Sequence, residues 1–165
     1  MDKLFKKIEK LKRDRKIQYC MDEKIVQEIH KEYSNIPLDI IQYFFVRHSN
    51  QFKEILSGIN TLNAKEITIT NKYLAKNDLL NKEIIDHAPF AVNNEYDTHN
   101  NCKNEYYKIL KDEFPYGTWN HPIITVFQNN KYLVLDGNNR FARLKMAIQY
   151  DFDFVENTHE ICVFN

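Results

Sequence analysis

Pro122-Ile123-Ile124-Thr125-Val126-Phe127-Gln128-Asn129-Asn130-Lys131-Tyr132-Leu133-Val134-Leu135-Asp136-Gly137-Asn138-Asn139-Arg140-Phe141-Ala142-Arg143-Leu144 is the stretch on which the fold turns. Its first residues form a near-continuous apolar run, which predicts a buried strand. Asparagine tolerates positive φ, so Gln128-Asn129-Asn130-Lys131 predicts a hairpin turn and Tyr132 to Leu135 the returning strand. Gly137, one of three glycines in the chain, then separates that strand from an apolar helix expected over 140 to 149. An abrupt strand-to-helix reversal favours glycine, which adopts positive φ freely and lets a ligand approach the backbone. Asn138 or Asn139 is the expected N-cap, and the amides after it point outward at the positive end of the helix dipole. Such a helix start is an anion site. Arg140 adds a planar fork for two phosphate oxygens, and Arg143 follows three residues on along roughly the same face.

Upstream, the pattern is helical at first. Residues 2 to 16 hold eight basic side chains, with Leu4, Phe5, Ile8 and Leu11 at helical spacing, and predict a basic amphipathic helix. This is either a solvated face over a core stripe or a contact surface for nucleic acid or another anionic partner. Ile25, Val26 and Ile29 give a second helix, Pro37 to Arg47 a third, and Phe52, Ile55 and Leu56 a fourth that Gly58 stops. Glu66-Ile67-Thr68-Ile69-Thr70 then alternates at period two, as a strand does. This places a boundary near Leu62, with a helical region over 1–62 and a second domain over 63–165. Residues 73 to 87 are expected to return to helix until Pro89, 93 to 101 to form a polar loop, 104 to 113 another helix, and His159 to Phe164 a last strand.

Composition narrows the setting. A length of 165 residues suits one compact domain with an appendage, and a charged fraction of 28% is ordinary for a globular chain. Lys plus Arg and Asp plus Glu stand at 23 each, so any attraction to polyanions must come from local clusters. Cys20, Cys102 and Cys162 are far apart and lack metal-ligand spacing, which fits a reduced, cytoplasmic protein. No apolar run is long enough to predict a membrane span.

The order of Pro122-Ile123, the Asn129-Asn130 hairpin, a second strand, Asp136-Gly137-Asn138-Asn139-Arg140 and an Ala-bearing helix resembles the ParB/sulfiredoxin superfamily, in its Asp-Gly-Asn-His-Arg form. The resemblance implies an α+β fold, a ParB/sulfiredoxin-like core with a small mixed sheet, preceded here by the helical extension. It also implies that Gly137, Asn138, Asn139 and Arg140 hold the phosphates of a nucleoside di- or triphosphate, with Mg²⁺ as the expected companion. Relatives of this kind include CTP-hydrolysing partition proteins, sulfiredoxins and an ADP-dependent serine kinase. Asn138 stands where sulfiredoxins place their nucleophilic cysteine, which argues against sulfinic acid reduction. Asn139 replaces the family's frequent histidine and carries no proton at neutral pH. The partition proteins' Glu-Arg-Arg motif is missing. Asp136 to Arg143 also resembles the phosphate loop of Fic-domain AMP transferases, but Tyr132 and Val134 occupy the places of that family's histidine and phenylalanine.

Two functions are therefore expected. The first is a nucleotide-dependent phosphotransferase or nucleotidase, with Asp136 and Arg143 as the catalytic pair: Asp136 orients Mg²⁺ through water, or else forms an Asx turn, and Arg143 neutralises developing charge. No direct metal ligand is assigned. The second is a non-catalytic nucleotide- or DNA-binding module of a phage, plasmid or toxin-associated system, with residues 2 to 16 on the nucleic acid. A homo-oligomer stays open. Glu83, Asp86, His87, Glu95, Asp97, His99, His121 and Trp119 are further candidates among which spacing does not choose.

Overall fold

The computed structural model describes residues 1–15, 23–49, 59, 62–88, 103–113 and 122–165. The helix expected near Phe52, the polar loop with Glu95, Asp97 and His99, and Trp119 and His121 lie outside them. The chain is α+β and divides into two compact units, Met1–Ile69 with Asn165, and Thr70–Phe164. Among the described residues no helix is long and apolar enough to cross a membrane.

The first unit is mostly helical. Helix α1 (Asp2–Asp14) buries Leu4, Phe5 and Ile8, and α2 (Glu23–Glu32) buries Ile25, Val26 and Ile29, each at the spacing of one helical face. Pro37, at φ −55° and ψ 145°, opens α3 (Leu38–Ile40), which continues as a π-helical segment Ile41–Val46. The wider turn buries Ile41, Phe44, Phe45 and Val46 together. Phe45 meets the ring of Phe5 edge-on at 5.5 Å. The strand expected at Glu66 starts later, because Asn63 accepts backbone bonds from Glu66 and Ile67 and closes a turn there.

The second unit is built on a five-stranded mixed sheet: β1 (Ile69–Ala75), β2 (Ile85–His87), β3 (Ile123–Gln128), β4 (Lys131–Asp136) and β5 (Thr158–Phe164), in the order β1-β5-β3-β4-β2. The hairpin pairs β3 and β4 antiparallel, while β2 runs parallel to β4 and β5 parallel to β3. Asn129 and Asn130, at φ 51° and 63°, form the two-residue loop, the left-handed pair that matches strand twist. Helix α4 (Lys103–Glu113) precedes β3, and α5 (Asn138–Gln149) follows β4. Phe141, Leu144 and Ala147 of α5 are fully buried in one core with Ile85, Ile123, Val134, Ile161 and Val163, one residue set from each of four neighbouring strands. Burying a side chain such as Phe141 contributes on the order of 2 kcal/mol.

Residues 73 to 87 correct the expectation of a helix. They hold most of β1, a 3-10 turn at Asp78–Leu80 and β2. Asn81 explains the break: its backbone carbonyl accepts from Ile84 and Ile85, and its side chain accepts from Glu83 N–H at 3.0 Å, so the segment turns instead of coiling. Strand β2 is then held by β4, through Tyr132 N–H to Ile84 O and Ala88 N–H to Val134 O.

Candidate functional site

The site forms where β4 ends and α5 begins. Register slips between Ile124 and Thr125, which face Asp136 and Val134, so β4 carries one extra residue just before the turn. A bulge at this place re-aims the end of the strand. Gly137 itself is the N-cap of α5, at φ 86° and ψ 19°, where Asn138 or Asn139 had been expected. The reason is steric. A Cβ at 137 would lie 2.6 Å from Ile123 Cγ2 and 3.0 Å from Arg140 Nη2, so only glycine lets the chain turn left-handed against β3 with the guanidinium folded over it. Asn138 and Asn139 consequently fall in the first helical turn.

Arg140 Nη2 stands 3.6 Å from Asp136 Oδ2. That is an ion pair longer than a hydrogen bond, with both side chains partly open to solvent, so its net worth is about 0–1 kcal/mol. Arg143, one turn on, is half-buried, and Asn139 is exposed. The motif thus brings Asp136, Gly137, Asn138 and Arg140 together at one helix start.

Strand β2 adds a group that spacing did not select. His87 pairs with Val134 of β4, and its Nδ1 lies 2.7 Å from Asn138 Oδ1. Its ring packs against Phe141 at 5.0 Å. The neighbouring Asp86 accepts the His87 N–H at 2.8 Å and faces Lys131 Nζ at 3.9 Å. Glu83 is exposed in the preceding turn, away from these contacts. His159, from β5, is fully buried; its Nε2 donates to Glu156 O at 2.9 Å, and loss of solvent holds its pKa below the ordinary value. Cys162 is a buried cysteine in β5, outside any disulfide, whose carbonyl accepts from Thr125 Oγ1. Among the described residues no group of three or more His, Cys, Asp or Glu is placed to hold a metal ion.

Four of the basic residues at the N-terminus have partners in their own unit. Lys7 pairs with Glu32, Lys6 with Asp2 at 2.6 Å, and Arg15 with Glu28 at 2.8 Å. Lys12 donates to Val46 O at 2.7 Å and to Ser49 Oγ at 2.6 Å.

No protein-family model matches the chain, and neither a curated protein nor a solved structure matches it significantly.

Proposed function

We propose that this chain is a ParB/sulfiredoxin-like protein that binds a nucleoside di- or triphosphate at the β4–α5 turn and acts on it as a phosphotransferase or nucleotidase. One observation carries the reading: Gly137 at positive φ opens α5 directly off β4, with the Arg140 guanidinium packed where a Cβ would otherwise stand. In this arrangement the first-turn backbone of α5 and the Arg140 fork both face the place a phosphate would take. Asp136 supplies one carboxylate beside them. One carboxylate plus substrate phosphates is a donor set that suits Mg²⁺, which keeps most of its waters; Asp136 would meet the ion through water, and the ion would neutralise phosphate charge. Arg143, a turn further along α5, is assigned to charge that develops during transfer.

The test is a thermal-shift panel of ATP, ADP, CTP and GTP with Mg²⁺ on wild type and Arg140→Ala. A ligand at a hundredfold excess over its Kd stabilises by about 2.7 kcal/mol, several degrees in Tm for a chain of this size. Loss of the charge-assisted contacts in Arg140→Ala should weaken binding by roughly 10- to 100-fold, from about 1.5–3 kcal/mol per such bond. A shift that survives the substitution would place the nucleotide elsewhere.

A further inference from the structure

We infer that His87 is the proton acceptor of the β4–α5 site and that Asn138 is its positioning residue. The inference rests on the nucleotide reading above and deepens it, because the motif itself contains no group able to take a proton at neutral pH except through Asp136. Asn139 stands in the motif's fourth place and is an amide. The imidazole arrives instead from another strand: the parallel pairing of β2 with β4 sets His87 beside Val134, and the ring reaches the first residue of α5.

The geometry defines which nitrogen is available. With the Asn138 amide turned so that its Oδ1 faces the ring at 2.7 Å, the oxygen accepts and the proton is assigned to His87 Nδ1. The lone pair then sits on Nε2. Among the described residues nothing bonds Nε2. The ring cannot turn easily, because Phe141, fully buried, packs against it at 5.0 Å and the Asn138 bond holds its other edge. An oriented imidazole with one nitrogen fixed by an acceptor and the other without a bond among the described residues is the arrangement a general base requires. The amide here takes the orienting part that a carboxylate takes in other histidine bases, and it leaves the imidazole without a neighbouring negative charge from that side.

The step assigned to this group is hydrolysis of a terminal phosphoanhydride. A water oxygen forms the new bond to the terminal phosphorus as the bond to the bridging oxygen breaks. One water proton passes to His87 Nε2, the nucleoside phosphate leaves with the bridging oxygen, and the imidazolium returns its proton to solvent. No oxidant or further reactant is needed.

The experiment measures binding and turnover separately on the full chain, with ATP, ADP, CTP and GTP and Mg²⁺, in wild type, His87→Gln and Asn138→Ala, alongside the His87 tautomer from long-range ¹⁵N–¹H NMR. The expected result is the Nδ1–H tautomer in wild type, and a thermal shift kept in His87→Gln with kcat lowered by about 10²- to 10⁴-fold. Asn138→Ala keeps the imidazole but should lose the Nδ1–H tautomer and part of kcat, which separates positioning from mere folding. A nucleotide shift with no turnover in wild type, turnover unchanged in His87→Gln, or an Nε2–H tautomer overturns the assignment while leaving the nucleotide site standing. The absence of any Arg140-dependent shift removes the site and the assignment together.

Discussion

Helix α1 engages Lys6, Lys7, Lys12 and Arg15 with acceptors inside the helical unit, whereas the β4–α5 turn holds Arg140 against Asp136 by a 3.6 Å pair open to solvent. By count the first region is the more basic. Exposure does not separate them, since Lys6–Asp2 and Arg15–Glu28 are at least as open as Arg140–Asp136 and each such pair is worth about 0–1 kcal/mol; what sets the second apart is the helix start beside its arginine. Lys12 shows the opposite case: it is half-buried, desolvation lowers its pKa, and its departure would leave Ser49 Oγ without its donor and the Val46 carbonyl with only the Ser49 hydroxyl at 3.2 Å. What decides a polyanion surface is therefore what each cation already touches, and a run of lysines in the sequence does not reveal that.

The largest effect that could break this comparison is expected at Gly137. Gly137→Ala forces a Cβ into the left-handed region, at about 1–2 kcal/mol, and drives it into Ile123, which adds roughly 1–3 kcal/mol of overpacking. Thermal unfolding should show a Tm lower by roughly 4 to 20 °C, at about 2–4 °C per kcal/mol for a chain of this size. The nucleotide-induced shift should vanish as well, since the Cβ also displaces Arg140 Nη2. An alanine variant with the wild-type Tm and the wild-type ligand response would mean the turn is not what shapes the site. The next effect belongs to the other region. Lys12→Met should cost about 1–3 kcal/mol in chemical denaturation, from the buried Ser49 hydroxyl left without its donor, with no change in the nucleotide response. A stable Lys12→Met that merely lost affinity for DNA would instead make α1 a nucleic-acid surface.

These two regions also differ in how far they could be read in advance. The β3–β4–α5 run was legible because its signals are local: consecutive apolar residues, two asparagines that do adopt positive φ, and a glycine at the reversal. Only the cap was misplaced, by one or two residues, since the steric demand at Ile123 is invisible in sequence. Residues 73 to 87 were illegible for the complementary reason. β1 is exposed along most of its length and β2 has three residues, so neither shows a two-residue period. What makes β2 a strand is its pairing with β4, a contact between distant parts of the chain. The bond from His87 to Asn138 spans 51 positions, and no spacing rule could have joined them.

Acid provides a milder probe that separates the units. Burial lowers the pKa of His159, with the Glu156 carbonyl and charge opposing and Lys76 assisting. The unfolded chain, with histidine near 6.5, therefore binds the proton first as pH falls. Stability from this group is full above about pH 6.5 and declines as pH drops toward and through the lower folded value. Wild type should lose more Tm between pH 7.5 and 5.0 than His159→Gln, while substitutions on α1 should leave that difference unchanged. Equal losses would show that the histidine is as well solvated folded as unfolded.

The smallest expected effect lies on α2, against the end of α1, and tests the comparison from its other side. Glu28→Gln removes the carboxylate that Arg15 contacts at 2.8 Å, a pair exposed on both partners, so stability should fall by less than about 1 kcal/mol. The same change takes one negative charge off the surface beside the basic helix. If α1 served nucleic acid, each added phosphate contact would steepen the dependence of log K on log salt by about 0.9, and Glu28→Gln should tighten DNA binding at low salt. If its cations serve the helical unit, as their partners imply, binding measured across a salt series should be the same for both proteins. A steeper slope in the variant would return α1 to the role its sequence suggested, and would leave the β4–α5 turn as one of two anion sites in the chain.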